Sequence, residues 1–566
     1  MELAIHQDDV NILLQEKNQL KEAELEKYRV AGQVAQTCLQ YILELIKDSY
    51  HLNKTPQPYT CQELCILGDS YLKTALENVF KNGAVRERGI AMPVTIELND
   101  IVTGFSPELD DSSNFVFQAG DIVTISLGAH IDGYTANVAH TVVIYPAGND
   151  KPAGPLLGAK ADAICAAHIA TETVVALLGT VLSPEKLPKS LNTNKVVTGS
   201  IIRDLVDSIA KSYNCVVVPG SKIRRVRRFL AGQAEGIVAE RDFKGVVWSE
   251  ANQEESLLNR SSHSQELILS DNKSKIVKNS NGAIPTDEFV VLAGEVYNVD
   301  IKMAPLGEFN EVGLVTLETI DEFTGANHKK DAFNTKSTIF IRDIIIKHAL
   351  KLKTSRQLLG KVDKQSVYPF KLSHMSENFP LNIKETDQKS LQTQISAITK
   401  DVKANRLGLS ELNNRHLLKQ KPIQAARFIP LESILMTNNE SGSMGVDLDK
   451  PVLPGLELSL PKLGISSLKL KSLLKKSKAI PVARESTTVI LIEDGVIAGG
   501  KAEVLRLTGG SKNFQPSWVH SNHSLGGSYL QAIAELDSLT KDKKFGIKIR
   551  ECQPFKVQEK VTMQLD

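Results

Sequence analysis

No run of about 18 apolar residues that could cross a bilayer stands out in this 566-residue chain. Its start, MELAIHQDDVNILLQEKNQL, is polar and acidic and lacks the basic and apolar regions of a secretory leader. The 6 cysteines are scattered, so a disulfide scaffold is disfavoured. Only Cys61 and Cys65 lie close together, in TCQELC, and no second ligand pair accompanies them for a zinc site. Ordinary buried thiols in a reducing compartment are the expectation. Charge of one sign is missing as well. Lys+Arg number 67 and Asp+Glu 66, so any attraction to a polyanion must come from local clusters. Nor is there a Gly-x-Ser-x-Gly elbow, a phosphate-binding glycine loop or a Cys-His nucleophile pattern. With 42% hydrophobic and 23% charged residues, the composition is that of a soluble, intracellular globular protein.

What is present is an alternation of helical and strand-like segments. Residues 8–48 carry apolar side chains at helical spacing. YTCQELCILGDSYLKTALENVF follows as a helix, with Thr60 and Glu63 in a capping-box pattern and Ile66, Leu67, Tyr71, Leu72 and Leu76 on one side. RGIAMPVTIELNDIVTGFSPE and TISLGAHIDGYTANVAHTVVIYP (124–146) then read as strands, the second as a hairpin turning at Asp132-Gly133. His130 and Asp132 are expected to face solvent at that turn, with His140 a capped core histidine. Two helices, DAICAAHIATETVVALLGTVL and TGSIIRDLVDSIAKSY, and further strands repeat the sequence of element types. The order predicts an α+β fold of two related halves, antiparallel sheets covered by helices, in a single domain over 1–566. Three polar segments interrupt it: a mobile insertion at 250–285, a partly helical one at 376–420 and a Lys-rich one at 434–480.

Three segments carry a family resemblance. RFLAGQ, VLAGEVYNVDI and ARESTTVILIEDG, in this order after the hairpin, resemble the methionine aminopeptidases, the pita-bread metallopeptidases, over about 10–350 and 420–500. That resemblance implies a cleft in which two divalent cations activate a bridging water, held by several anionic ligands and an imidazole. The family's two hairpin aspartates fall on Ser126 and Asn137, eleven residues apart and pointing to one face. Its ligand histidine falls on Lys222, a second histidine on Leu230, and a substrate-contacting histidine on Gly104. Asp300 stands at the first glutamate position, the one carboxylate kept, and the second falls near Ser486, with Glu485 one residue away. The expectation is a chain with no catalytic residue, metal or other cofactor. An aminopeptidase with an atypical metal site is the enzymatic alternative.

Two basic clusters are the candidates for contact with RNA phosphates: Lys222, Arg224, Arg225, Arg227 and Arg228, and Lys469, Lys471, Lys475, Lys476 and Lys478. The competing readings are a basic strand end with acidic neighbours and a solubilising insertion. Aromatics, 5% of the chain, are sparse beside both, so backbone contact with structured RNA is favoured over base stacking. Chain length, the polar insertion after residue 250, the Lys-rich insertion before the last strands and VTISLGAHIDGYTANVAHTVVI resemble the inactive, fungal ribosome-export branch of the family. This implies binding of the pre-60S particle, through rRNA and ribosomal proteins, beside the peptide tunnel exit. It further implies contacts with Phe-Gly nucleoporins, a small basic partner protein, shuttling between nucleus (nucleolus and nucleoplasm) and cytoplasm, and no membrane association. A former substrate cleft, partly apolar, could seat a Phe ring. An RNA-binding regulator of the proliferation-associated type is the alternative within the binding class.

Overall fold

The computed structural model describes residues 18–555 apart from 82–84, 112–114, 149–151, 192–193, 229–244, 261–288, 310, 321–335, 366, 384–387, 435–464, 466, 498, 511–513 and 515–517. Helices α1 (Glu22–Ile46) and α2 (Cys61–Asn78) precede strands β1 (Arg88–Leu98), β2 (Ile101–Thr103), β3 (Ile122–Ile131) and β4 (Tyr134–Val143). Next come α3 (Ala159–Gly179), α4 (Gly199–Ser212), β5 (Cys215–Val217), β6 (Lys222–Val226), β7 (Gly245–Val247), α5 (Glu250–Arg260), β8 (Val296–Pro305) and β9 (Gly313–Thr319). The chain continues through β10 (Ile339–Arg342), α6 (Lys353–Val362), β11 (Phe370–Lys371), α7 (Gln388–Asn414), β12 (Leu418–Gln420) and β13 (Gln424–Pro430). It closes with α8 (Ser467–Leu474), β14 (Lys478–Ala479), β15 (Ala483–Ile492), β16 (Glu503–Arg506), α9 (Leu530–Lys541) and β17 (Ile549–Glu551).

Ten strands form one sheet along the path β1-β3-β4-β15-β8-β6-β7, with β16, β17 and β5 attached beside it. The path brings β15, near the C-terminus, between β4 of the first half and β8 of the second. Helices α1 and α2 pack on the β1-β3-β4 half, and α3, α4 and α9 belong to the core of the β15-β8-β6 half. The two-half α+β architecture expected from element order is the one observed. Every residue of β3 and β8 is buried, because these central strands are covered on both faces.

Local signals behave as their chemistry dictates. Thr60 and Glu63 satisfy each other's backbone amides, Glu63 N donating to Thr60 Oγ1 at 3.2 Å and Thr60 N to Glu63 Oε2 at 2.9 Å. Asp132 and Gly133 take φ values of +52° and +83°, the left-handed pair that a two-residue hairpin turn requires. Helix α2 buries two faces rather than the single side expected: Leu72 and Leu76 join α1 and the sheet, whereas Ile66 and Leu67 join the cluster around α6 and α7. Helix Ala159–Leu182 is long and apolar enough to cross a membrane by length and composition, contrary to the expectation from sequence. It is mostly buried against β8 and β15, so its apolarity serves the core.

Of the three polar segments, 376–420 contains the 27-residue helix α7. In 250–285 only α5 is described, the rest falling outside the described residues, as do residues 435–464 of the Lys-rich segment. Buried charges fasten the 370–376 stretch to α2. Asp69 accepts from Val94 N at 2.7 Å, lies 2.9 Å from His374 Nε2 and 4.0 Å from the Lys371 ammonium. Glu108 accepts from Ser373 N and Oγ at 3.1 and 3.3 Å. Because Asp69 and Lys371 are both buried, removing one partner strands the other. Asp69→Ala should lower stability by about 3–5 kcal/mol in urea denaturation, with Asp69→Asn losing less. An unchanged midpoint would show that this network does not hold the segment.

Candidate functional site

Strand register sets out the site. Thr95 pairs with Ser126, Ser126 with Ala139, Ala139 with Ser486, Ser486 with Asp300, and Asp300 with Lys222. Directly opposed residues project to one face, so this row crosses the sheet on a single side. Asn137, two residues before Ala139, shares that face, as do Arg484 and Lys302, themselves a cross-strand pair. Five positions of the family's cleft, Ser126, Asn137, Lys222, Asp300 and Ser486, therefore do come together.

Their chemistry is an ion-pair network. Arg484 donates from Nε to Asp300 Oδ1 at 2.7 Å and from Nη2 to Asp300 Oδ2 at 3.1 Å, a bidentate fork. Its third donor, Nη1, reaches Ser126 Oγ at 3.3 Å, and Ser126 Oγ donates to Glu97 Oε2 at 3.2 Å. Lys302 Nζ donates to Asp300 Oδ2 at 3.1 Å and to the Gly220 carbonyl at 2.9 Å. Burial alone would raise Asp300, but Arg484, Lys302 and Lys222 hold its carboxyl well below the usual range. Burial pushes Lys302 down to about 8, against the pull of Asp300. Burial, with Arg224 beside it, pushes Lys222 down to about 7. Burial also lowers Lys421, which precedes β13 and feels Arg484, and raises Glu97.

Two divalent cations do not fit such a face. A +2 ion about 4 Å from the Arg484 guanidinium would be repelled by about 8 kcal/mol at an effective dielectric of about 20. Asp300 could offset one such repulsion, and it is already shared by two cations. Among the described residues no group of three or more His, Cys, Asp or Glu side chains is placed to hold a metal ion. Glu485 does not rescue the missing glutamate. It lies on the opposite face, 2.9 and 3.1 Å from His140 Nδ1 and accepting from Thr141 N at 3.3 Å. At Gly104 (φ +86°) a Cβ would come within 2.5 Å of the Pro422 carbonyl, so the backbone before β13 fills the space of the family's substrate histidine. Leu230 lies outside the described residues. The floor at these positions is charged, so a partly apolar seat for a Phe ring would have to be supplied by other residues.

Two further expectations change. His130 and Asp132 are buried, not solvent-facing. His130 stacks on Tyr368 at 3.6 Å, and burial pushes it down to about 3. Asp132 accepts from Lys27 Nζ at 2.8 Å and from the amides of Arg86 and Glu87 at 2.7 and 3.0 Å. The 222–228 cluster is not five free cations, because protein groups already use most of it. Arg225 and Arg227 converge on Glu295 at 3.3 and 2.5 Å. Arg228 donates to the Asp132 carbonyl and sits 5.5 Å over the Tyr134 ring, Lys222 stands opposite Asp300 in the sheet, and Arg224 is half-buried. Arg225 and Arg227 therefore have the acidic neighbour of the competing reading. In the other cluster Lys471, Lys475 and Lys476 are exposed, and Lys478 is 3.5 Å from Glu311. The side chain of Lys469 lies outside the described residues.

Sequence reasoning missed Arg484, Lys302, Lys421 and Glu97. The first two were within reach, each two residues from an assigned position and so on the same face. A titration follows from Lys222. Its folded value near 7 lies below that of an exposed lysine, so the unfolded chain binds the extra proton and stability rises with pH above about 7. Urea denaturation over about pH 6 to 9.5 should show this rise, and Lys222→Met should reduce it and gain most over the wild type at the acidic end. Parallel pH profiles for the two proteins would contradict the assignment.

Residues 26–180 match the metallopeptidase family M24. A Debaryomyces hansenii protein named "Probable metalloprotease ARX1" is 60% identical over 100% of both chains. A Saccharomyces cerevisiae protein of the same name is 50% identical over 98% of this chain and 97% of that one. The solved structure of a thermophilic Arx1 covers 91% of this chain and 97% of that chain with a TM-score of 0.51 at 16% identity, a likeness of fold. With its hairpin, its two-half sheet and relatives matched over their whole length, the chain belongs to the Arx1 family, within the pita-bread M24 metallopeptidases.

Proposed function

We propose that this chain is a non-catalytic, ribosome-associated factor that binds the pre-60S particle near the peptide tunnel exit and assists its nuclear export. The observation that carries the non-catalytic part is the Arg484–Asp300–Lys302 network on the face where the family holds its metals. Without a metal-bound water, that face offers no activated nucleophile: its one hydroxyl in the network, Ser126, is engaged by Arg484 and Glu97. The binding part rests on the resemblance to the ribosome-export branch and on exposed Lys471, Lys475 and Lys476, cations of the kind that neutralise phosphates. Contacts with Phe-Gly nucleoporins and a small basic partner, and shuttling between nucleus and cytoplasm, belong to the same proposal. The nucleoporin contact is assigned to a surface other than the charged floor.

Elemental analysis and an aminopeptidase assay on the purified chain test the first part. No metal at stoichiometric level and no N-terminal methionine release are expected. Near-stoichiometric cobalt, manganese, iron or zinc together with turnover would restore the peptidase reading. For the second part, the chain should co-sediment with nuclear pre-60S particles in preference to mature ribosomes or free messenger RNA. Reversing charge at Lys471, Lys475 and Lys476 should weaken that binding and lower its salt slope by roughly 0.7 to 0.9 for each phosphate no longer neutralised. Unaltered sedimentation would exclude this surface.

A further inference from the structure

The ionic floor carries more positive charge than it balances. Arg484 and Lys302 are matched in number by Asp300 and Glu97. Lys222 and Lys421 then remain as two cations without a carboxylate of their own. Both approach the same pair from different elements, Lys222 from β6 directly opposite Asp300, Lys421 from the turn between β12 and β13. Neither ammonium makes a hydrogen bond to a described residue. Both side chains are half-buried, whereas Ser126, Asp300 and Lys302 are buried, so the matched charges are the inner ones and the unmatched ones a rim.

We propose that this rim is an oxyanion site, at which Lys222 and Lys421 bind a carboxylate or phosphate above the Arg484–Asp300 pair. An unpaired, partly desolvated ammonium is costly, and an anion held over the Arg484–Asp300 pair lowers that cost for an amine within its reach. Arg484 cannot swing to serve as the receptor. Its Nε and Nη2 are fixed on Asp300 and its Nη1 on Ser126, so it supplies a stationary positive floor. The ligand is thus a small anionic group, either a free ion or the acidic end of a larger molecule. The proposal rests on the cleft being free of metal and is independent of ribosome binding.

The test uses the full chain, shown first by elemental analysis to be metal-free, in a slightly acidic low-salt buffer at constant ionic strength. Inorganic phosphate and acetate are titrated separately, with melting temperature and calorimetric affinity as readouts. At least one should raise the melting temperature saturably; a stronger response to acetate assigns a carboxylate ligand, a stronger one to phosphate a phosphoryl group. Lys222→Met and Lys421→Met should each weaken binding by about tenfold or more. Without added anion both variants should melt at or above the wild type, since each removes an unmatched cation. Lys476→Met, on the exposed cluster, should leave the response intact. No anion-dependent rise, an equal rise in both cleft variants, or variants that melt lower than the wild type without anion would overturn the proposal. Bound metal in the starting protein would instead overturn the non-catalytic reading on which it rests.

Discussion

Two hydrogen bonds, at 2.7 and 3.1 Å, join the Arg484 fork to the Asp300 carboxylate across neighbouring strands at the centre of the large sheet. Strand β15 comes from near the C-terminus and lies between β4 and β8, where it joins the two halves of the fold. The pair therefore sits where the halves meet, and the groups around it are arranged with respect to it. Lys302 shares the same carboxylate, Ser126 accepts the remaining guanidinium donor, and Glu97 accepts from Ser126. A guanidinium with fixed donors can occupy such a place because its charge comes with the chain and needs no ion taken up from solution.

The substitutions on this face make sense together. In a two-metal cleft, carboxylates must cluster so that their charge balances four positive charges. Here the positive charge is carried by one guanidinium and three amines of the chain itself, and Asp300 and Glu97 are the carboxylates beside them. Ser126 is neutral and hydrogen-bonded on both sides. Asn137 keeps the size of an aspartate, its Oδ1 lying over Gly128 where a Cβ would approach to 2.0 Å. Gly104 lets the backbone before β13 close against it, which brings Lys421 toward Arg484. Peptidase geometry and ionic floor are thus alternative solutions to one electrostatic problem on the same scaffold.

Much of this was legible in the sequence, and what was not has a physical reason. The capping box at Thr60 and the Asp132-Gly133 turn are local, set by residues within a few positions of one another. Ser126 and Asp300 followed from strand alternation combined with the family resemblance. Side-chain partners contributed from distant segments were out of reach. Glu295 lies 68 residues from Arg227, and its carboxylate turns a seemingly free basic run into a paired strand end. Tyr368 and Lys27 fold over the hairpin turn from both directions and bury His130 and Asp132. Lys421 and Glu97 reach the floor only through a register with bulges in β1 and a turn that folds back, and neither leaves a periodic trace.

The same contrast separates the two basic clusters, which look alike as sequence. In the first, the cations stand on or beside a strand of the main sheet, and folding brings Glu295 against Arg225 and Arg227 and the Tyr134 ring against Arg228. In the second, the short helix α8 buries Leu473 and leaves Lys471 in solvent, as the turn after it leaves Lys475 and Lys476. Cation density alone therefore does not identify a phosphate-binding surface. What decides is whether the element carrying the charges is packed on two sides or on one. The exposed lysines of α8 and of the turn after it keep their charge available to a partner. The Arg484–Asp300–Lys302 pairing of the central face is internal to the fold, whereas the charges of the insertion are directed outward.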